Sequence, residues 1–167
     1  MKIIYLASFK AHHPNYDIVY QDINGKRDIP GDMMEVDLTI YDIIIATPPC
    51  NYYSKCLTPG RREKSIYAKQ TKHLLPGIIK KLSNQSKPFI IENVRSSEID
   101  KLIQDTPGYV FVYQHGRHTY WTNIPFNPKS INQVFDFKIH GKRLNKNTQG
   151  GQNVHNVIDY WLKVVTS

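Results

Sequence analysis

The strongest fold signal in the chain is the stretch YDIIIATPPCNYYS, which covers residues 41–54. Its β-branched apolar run is typical of a buried strand in a parallel sheet, and Pro48-Pro49 ends that strand. Cys50 follows directly. Because ligands and catalytic groups of open α/β sheets gather at the carboxyl ends of the strands, Cys50 is a candidate nucleophile. A lone cysteine after a strand is more often a small buried apolar side chain, and this alternative stays open.

A second stretch, KPFIIENV at residues 87–94, repeats this pattern and ends in Glu92-Asn93. Further along the chain, Pro76-Gly77 predicts a kink or a break into two helices. The other predicted elements are strands at Lys2–Phe9, Asp17–Asp22 and 109–113, and helical segments at Ser65–Leu82, 97–104 and Asn153–Val165. Alternating strands and helices indicate a layered α/β sheet.

Two motifs resemble those of the DNA cytosine-5 methyltransferases. Pro49-Cys50-Asn51-Tyr52-Tyr53-Ser54 resembles the family's Pro-Cys-Gln-x-Phe-Ser loop, and Glu92-Asn93-Val94 resembles its Glu-Asn-Val motif, in the same order and at similar spacing. The resemblance implies an α/β fold with a Rossmann-like methyltransferase sheet and helices on both faces, as one domain over residues 1–167. It also implies methyl transfer from S-adenosylmethionine to C5 of cytosine in DNA.

The chemistry explains why these residue types are needed. A thiolate that adds to C6 of cytosine breaks the aromaticity and makes C5 nucleophilic, which is covalent catalysis. The thiolate is the reactive form, so Cys50 needs positive surroundings. The resemblance implies that Glu92 holds a proton at N3 of the ring.

An arginine follows the predicted strand at 109–113. Arg117 resembles part of the family's Arg-x-Arg motif, and His115 or Thr119 stands where the second arginine is expected. We predict that Arg117 steadies the ring near O2. The competing interpretation is a solvated loop arginine, and its alignment to either family position is open.

Positive charge is concentrated directly after Cys50. Residues 1–54 carry four Lys/Arg and seven Asp/Glu, residues 55–95 carry ten and two, and the chain has a net charge of +8. A basic stretch is usually a solvated face, but one that begins at a candidate nucleophile suits a polyanion. The predicted contacts to nucleic acid are Lys55, Arg61, Arg62 and Lys64, with Asn93 added by the resemblance.

The methyl-donor site is where the chain departs most from the family. Only seven residues, Lys10–Tyr16, separate the first two predicted strands, and the Gly-rich turn and helix of the family are absent there. The predicted S-adenosylmethionine contacts are Asp22 for the ribose, Asp32 near the adenine, Pro48, and Asn153 in a Gly-Gly-Gln-Asn-Val segment that resembles the family's Gly-Asn-Ser-Val motif. Both aspartates are equally compatible with ordinary turn chemistry.

The target-recognition region is also reduced, because only the irregular basic segment 124–149 is available for it. The recognised DNA sequence is therefore short, or a partner chain supplies the specificity, or the substrate is not duplex DNA. Extrusion of a base is easier from a single strand. Five aromatic residues are candidates for stacking on such a base, although core packing is their commoner role: Tyr52, Tyr53, Tyr67, Tyr120 and Trp121.

Composition limits the location and the class of protein. Two cysteines, Cys50 and Cys56, form neither a disulfide framework nor a zinc pattern, and no metal site is predicted. With no signal peptide and no membrane span expected, the cytoplasm of a low-GC bacterium or a phage-infected host is predicted.

Two alternatives to the methyltransferase function remain: cofactor-independent covalent chemistry at C5/C6 of a pyrimidine, and a degenerate methyltransferase kept as a DNA-binding subunit.

Overall fold

Seven strands form one mixed sheet in a computed structural model of the chain. The structure describes residues 1–8, 11–25, 27–54, 59–94, 96–105, 110–115, 118–127 and 146–167. The strands are β1 (Ile3–Leu6), β2 (Ile18–Asp22), β3 (Ile29–Pro30), β4 (Ile43–Ala46), β5 (Phe89–Val94), β6 (Phe111–His115) and β7 (His118–Thr122).

The strand order is β3-β2-β1-β4-β5-β7-β6. Strands β1 to β5 pair in parallel, whereas β7 runs antiparallel to both β5 and β6. The chain moves outward from β1 to β3 and then returns to β4 on the other side of β1. Such a reversal opens a crevice at the carboxyl ends of the two central strands, where open α/β sheets bind ligands.

Helices cover both faces of the sheet. One face, which includes Ile4 and Ile44, packs against apolar side chains of α2, α3 and α4. The other, which includes Ile3 and Tyr5, packs against α5 through side chains such as Trp161. The helices are α1 (Pro59–Lys64), α2 (Ile66–Thr71), α3 (Leu74–Ser83), α4 (Ser97–Asp105) and α5 (Lys146–Thr166). The predicted α/β class is confirmed.

The predicted helical segment around Pro76-Gly77 is two helices. The break lies at Lys72-His73, between α2 and α3, so Pro76 falls in the first turn of α3. Proline is tolerated there because the first N–H groups of a helix have no partner within the helix.

The structure adds one strand and corrects the start of the last helix. No element was predicted for residues 114–122, but His118–Thr122 is strand β7, which pairs with both β5 and β6. The last helix begins at Lys146 rather than Asn153, so the end of the predicted irregular segment 124–149 is helical and Gly150-Gly151 lies within a helix. Residues 128–145 of that segment lie outside the described residues.

The connection between β1 and β2 contains no helix in residues 11–17, in agreement with the shortening predicted from the sequence. The face that such a helix would cover is packed instead by α5. His13 of this connection contacts Tyr5, with ring centroids 5.6 Å apart, and bonds Asp159 of α5 at 2.6 Å. Among the described residues, every helix is too short or too polar to cross a membrane.

Candidate active site at the carboxyl edge of the sheet

Cys50 lies in a tight turn after β4. Its carbonyl oxygen accepts hydrogen bonds from the backbone N–H of Tyr53 at 3.1 Å and of Ser54 at 2.9 Å. The Tyr53 hydroxyl donates to the carbonyl of Lys72 at 2.8 Å, and the Lys72 ammonium lies 4.5 Å from the centre of the Tyr52 ring. The turn is thus anchored to the end of α2, while the Cys50 thiol stays partly exposed.

Asn93 ties the end of β5 to this turn. Its side chain is 1 % exposed, and Nδ2 donates to the carbonyl of Pro48 at 2.7 Å. The contact with nucleic acid predicted for Asn93 stays a prediction, and in this structure its side chain bonds within the protein. Pro48, predicted to contact a cofactor, is itself buried with its carbonyl bonded to Asn93. Both residues therefore support the position of Cys50.

Glu92 lies on the neighbouring strand and pairs with a histidine that sequence reasoning missed. The register sets Glu92 opposite Tyr120 and Val94 opposite His118, so His118 is a diagonal neighbour on the same face. The His118 Nδ1 atom lies 2.5 Å from Glu92 Oε1. The Glu92 side chain is 12 % exposed and that of His118 is 22 % exposed. The pair is sheltered but still reached by solvent.

Two tyrosines complete the surroundings of Glu92. Burial raises the pKa of Tyr5 and of Tyr120, and the negative charge of Glu92 raises each further. Both phenols therefore stay protonated at neutral pH. The Tyr120 hydroxyl is buried and has no hydrogen-bond partner among the described residues. Glu92 is thus flanked by neutral hydroxyl groups on the face that α5 covers.

Asp22 and Asp32 lie at the carboxyl ends of β2 and β3. Asp22 is 7 % exposed, and its Oδ1 accepts hydrogen bonds from the backbone and side chain of Asn24, at 3.0 and 2.9 Å. Asp32 Oδ1 accepts from the backbone N–H of Met34 at 2.9 Å. These are the turn contacts that the sequence left open as an alternative, and they fix both carboxylates at the edge of the sheet.

The turn after β1 keeps an unusual backbone without glycine. Ala7 has φ 51°, in the left-handed region that favours glycine. Its N–H donates to Gln21 Oε1 at 2.9 Å, and the N–H of Ser8 donates to the Gln21 carbonyl at 2.9 Å. Gln21 Nε2 in turn donates to the Gly31 carbonyl at 2.5 Å. One buried glutamine therefore links the ends of β1 and β3.

Tyr67 of α2 interacts electrostatically with residues of both groups. Partial burial raises the pKa of Tyr67, and negative charge at Asp22 and Cys50 raises it further, so its hydroxyl lies within electrostatic range of both. Its ring is 50 % exposed. The other four aromatic candidates for base stacking, Tyr52, Tyr53, Tyr120 and Trp121, are buried in the core.

Arg61 and Lys64 are exposed on α1, beyond the Cys50 turn. Arg62 and Asn153 lie in α1 and α5. Their side chains lie outside the described part of the structure, as do Lys55 and Arg117. The contacts predicted for these four residues remain predictions.

No family model and no curated protein matches the chain. A solved structure that is similar to it is a methyltransferase of Entamoeba histolytica, EhMeth, with a TM-score of 0.42 and 16% sequence identity. The similarity covers 72% of this chain and 52% of that one, so the match spans about half the length of the solved chain.

Proposed function

We propose that the protein is a DNA cytosine-5 methyltransferase that uses S-adenosylmethionine. The observation that carries the proposal is the meeting of two motifs at one edge of the sheet. The turn with Cys50 follows β4, Glu92 lies near the end of neighbouring β5, and the Asn93–Pro48 hydrogen bond fixes one against the other. Thiol and carboxyl groups on adjacent strand ends are the pair that attack on a pyrimidine ring requires.

Each group has a defined part in the reaction. The Cys50 sulfur adds to C6, and the electron pair of the C5–C6 double bond shifts through C4 toward N3. A proton from Glu92 neutralises the charge at N3, which leaves C5 enamine-like. After alkylation of C5, the N3 proton returns to Glu92 as the C4–N3 double bond re-forms. A base from solvent then takes the C5 proton, the C5–C6 double bond re-forms, and the Cys50 thiolate leaves. The proton at N3 is therefore borrowed and not consumed.

The methyl donor fits the described residues at one end. The Asp22 and Asp32 carboxylates at the ends of β2 and β3 suit the hydroxyl and amine donors of an adenosine group. The turn after β1 suits a methionine carboxylate poorly, because the N–H groups of Ala7 and Ser8 already donate to Gln21. When bound, S-adenosylmethionine supplies an electrophilic methyl group. Residues other than this turn have to hold its methionine end.

The nucleophile assignment is tested by trapping. We expect DNA containing 5-fluorocytosine to form a covalent adduct with the wild-type protein in the presence of S-adenosylmethionine, because fluorine cannot leave C5 as the proton does. Cys56→Ser is the matched control and should trap normally, whereas Cys50→Ser should trap nothing. The measurement is a shift of the protein band on a denaturing gel. An adduct that survives Cys50→Ser contradicts the proposal.

The same trapping assay distinguishes the proposed methyltransferase from its leading alternative. Cofactor-independent chemistry at C5/C6 of a pyrimidine is favoured by one observation, the use of the Ala7 and Ser8 amides inside the protein. A Cys50-dependent adduct that forms equally well without S-adenosylmethionine would support that alternative. Tight DNA binding with no adduct under any condition would support a degenerate, non-catalytic subunit.

The nucleic-acid substrate is tested through salt. Exposed Arg61 and Lys64 lie on α1, which follows the Cys50 turn along the chain, and each phosphate contact adds about 0.9 to the slope of log K against log salt. We expect Arg61→Gln with Lys64→Gln to flatten that slope by up to about two units. The control, Lys101→Gln with Lys163→Gln, removes the same charge at exposed sites on α4 and α5 and should leave the slope unchanged. Equal slopes for both double variants would show that Arg61 and Lys64 of α1 do not contact the nucleic acid.

A further inference from the structure

We propose that His118 is a positioning residue that supplies the proton which Glu92 donates to the pyrimidine ring. The proposal rests on the function proposed above and assigns a role to a residue outside the two motifs. It starts from one contact, the 2.5 Å approach of His118 Nδ1 to Glu92 Oε1. A glutamate that must donate a proton needs a source for it, and an imidazole is the side chain best suited to exchange protons near neutral pH.

The backbone holds this pair in place. Glu92 lies in the middle of the β5–β7 ladder, whose five residue pairs run from Ile90–Thr122 to Val94–His118. His118 is also paired across β6 with His115. Both partners of the contact therefore sit on strands that are hydrogen-bonded to each other, so the approach does not depend on a flexible loop. This is the arrangement expected of a group that fixes the orientation of a catalytic carboxyl.

The exposure of the pair suits proton exchange. The His118 side chain is 22 % exposed and that of Glu92 is 12 % exposed, so the imidazole can exchange its proton with solvent and the carboxyl is the more sheltered of the two. One carboxylate oxygen is occupied by His118, and a carboxyl group has a second oxygen through which it can reach a ring nitrogen.

The proton balance closes over one turnover. Protonated His118 gives its Nδ1 proton to the Glu92 carboxylate and Glu92 passes a proton to N3, which leaves His118 neutral with its proton on Nε2 and Glu92 ionised as before. After alkylation of C5, the N3 proton returns to Glu92 and the Nδ1 proton to His118. No additional acid is needed, and the neighbouring phenols of Tyr5 and Tyr120 stay protonated throughout.

The other ionisable groups near the Glu92–His118 pair lie on β1, β6, β7 and α5. Tyr5 of β1 and Tyr120 of β7 lie within electrostatic range of Glu92, and His115 of β6 lies opposite His118. On α5, which covers the same face, His155 and Asp159 interact with His13. Arg117 lies outside the described residues.

The test compares variants that separate position from proton supply. His118→Asn keeps an N–H donor near the place of Nδ1 but cannot be protonated. We expect it to fold and bind DNA normally, to lower the single-turnover methylation rate about 100-fold, and to lose the fall in rate that the wild type shows at alkaline pH. His73→Asn, at the exposed start of α3, is the matched control and should behave as the wild type.

Chemical rescue gives a second measurement. We expect imidazole in the buffer to restore His118→Ala several-fold and to leave Glu92→Ala inactive, because only the first variant has lost the proton source alone. Wild-type rates and pH dependence in His118→Asn would overturn the proposal while the methyltransferase function stands. A slower His118→Asn with the wild-type pH dependence and no rescue of His118→Ala would overturn proton supply as well. No adduct and no methylation by the wild type at any pH would overturn both proposals.

Discussion

The carboxyl edge of the sheet is built differently on its two halves, which meet between β1 and β4. In the nucleophile half, formed by β4, β5 and β7, side chains bond from one strand to its neighbour or the turn after it, as in the Glu92–His118 contact and the hydrogen bond from the Asn93 side chain to the Pro48 carbonyl. In the donor half, formed by β1, β2 and β3, the polar contacts mostly shape turns. Gln21 bonds backbone groups at the ends of β1 and β3, and Asp22 bonds Asn24 two residues on.

The difference concerns what each half requires from the sequence. Chemistry on a pyrimidine requires particular side chains at particular positions, so the nucleophile half depends on the identity of Cys50 and Glu92. Binding of a ligand by turns depends first on the path of the backbone, and different residues can maintain that path. Ala7 illustrates this, since it holds a left-handed conformation that favours glycine, and its contacts with Gln21 keep the turn.

The largest expected effect comes from breaking the support of the nucleophile half. Asn93→Asp replaces the buried Nδ2 donor by an oxygen that faces the Pro48 carbonyl. We expect the free energy of unfolding at pH 7 to fall by about 3 kcal/mol, because the interior then holds an unpaired charge and an unsatisfied carbonyl. Chemical denaturation measures the change.

The stability of the Asn93→Asp variant should depend on pH, which gives a second measurement. At low pH the introduced carboxyl takes up a proton and can donate to Pro48, so Asn93→Asp should regain stability relative to the wild type. Asn51→Asp makes the same chemical change at an exposed site in the same turn, and we expect less than about 0.5 kcal/mol from it. Similar losses in the two variants would show that Asn93 does not hold the turn.

A smaller effect tests how α5 covers the donor half. Burial lowers the pKa of His155 on α5 below its ordinary 6.5, and the nearby His13 lowers it further while Asp159 opposes both. Because the unfolded chain binds this proton more readily than the folded one, the free energy of unfolding falls as pH drops below about 6.5. We expect His155→Gln to reduce that fall in denaturation curves between about pH 7 and pH 5.

His12→Gln is the control for the His155 experiment, because His12 is an exposed histidine of the β1–β2 connection. It should leave the pH dependence of stability unchanged. If both variants behave as the wild type, the packing of α5 on the connection does not depend on the protonation of this cluster.

Local patterns predicted the elements that depend on local sequence. The apolar strands before Cys50 and Glu92 are long and β-branched, and both are where the sequence places them. β7 was missed because HTYWT carries polar and aromatic residues whose roles are set by pairing with β5 and β6. The contacts of His118 with Glu92 and of Gln21 with Gly31 depend on strand register, which no local pattern specifies.

The smallest expected effect tests whether the fold holds the turn after β1 in a backbone conformation that its residue disfavours. Among the described residues, Ala7 is the one non-glycine residue at positive φ. That conformation costs an L-residue about 1–2 kcal/mol, and glycine avoids it but adds about 0.4–1 kcal/mol of freedom to the unfolded chain. We therefore expect Ala7→Gly to stabilise the protein by about 0.5 kcal/mol, measured by thermal and chemical denaturation.

Ala11→Gly is the matched control in the same connection. It is buried and not at positive φ, so the substitution should destabilise by about 1 kcal/mol. Opposite signs would show that the fold imposes the turn on a residue that disfavours it. Equal losses would mean that the Ala7 methyl group contributes more by packing than its backbone loses by strain, and the donor half would then depend on side-chain identity as the nucleophile half does.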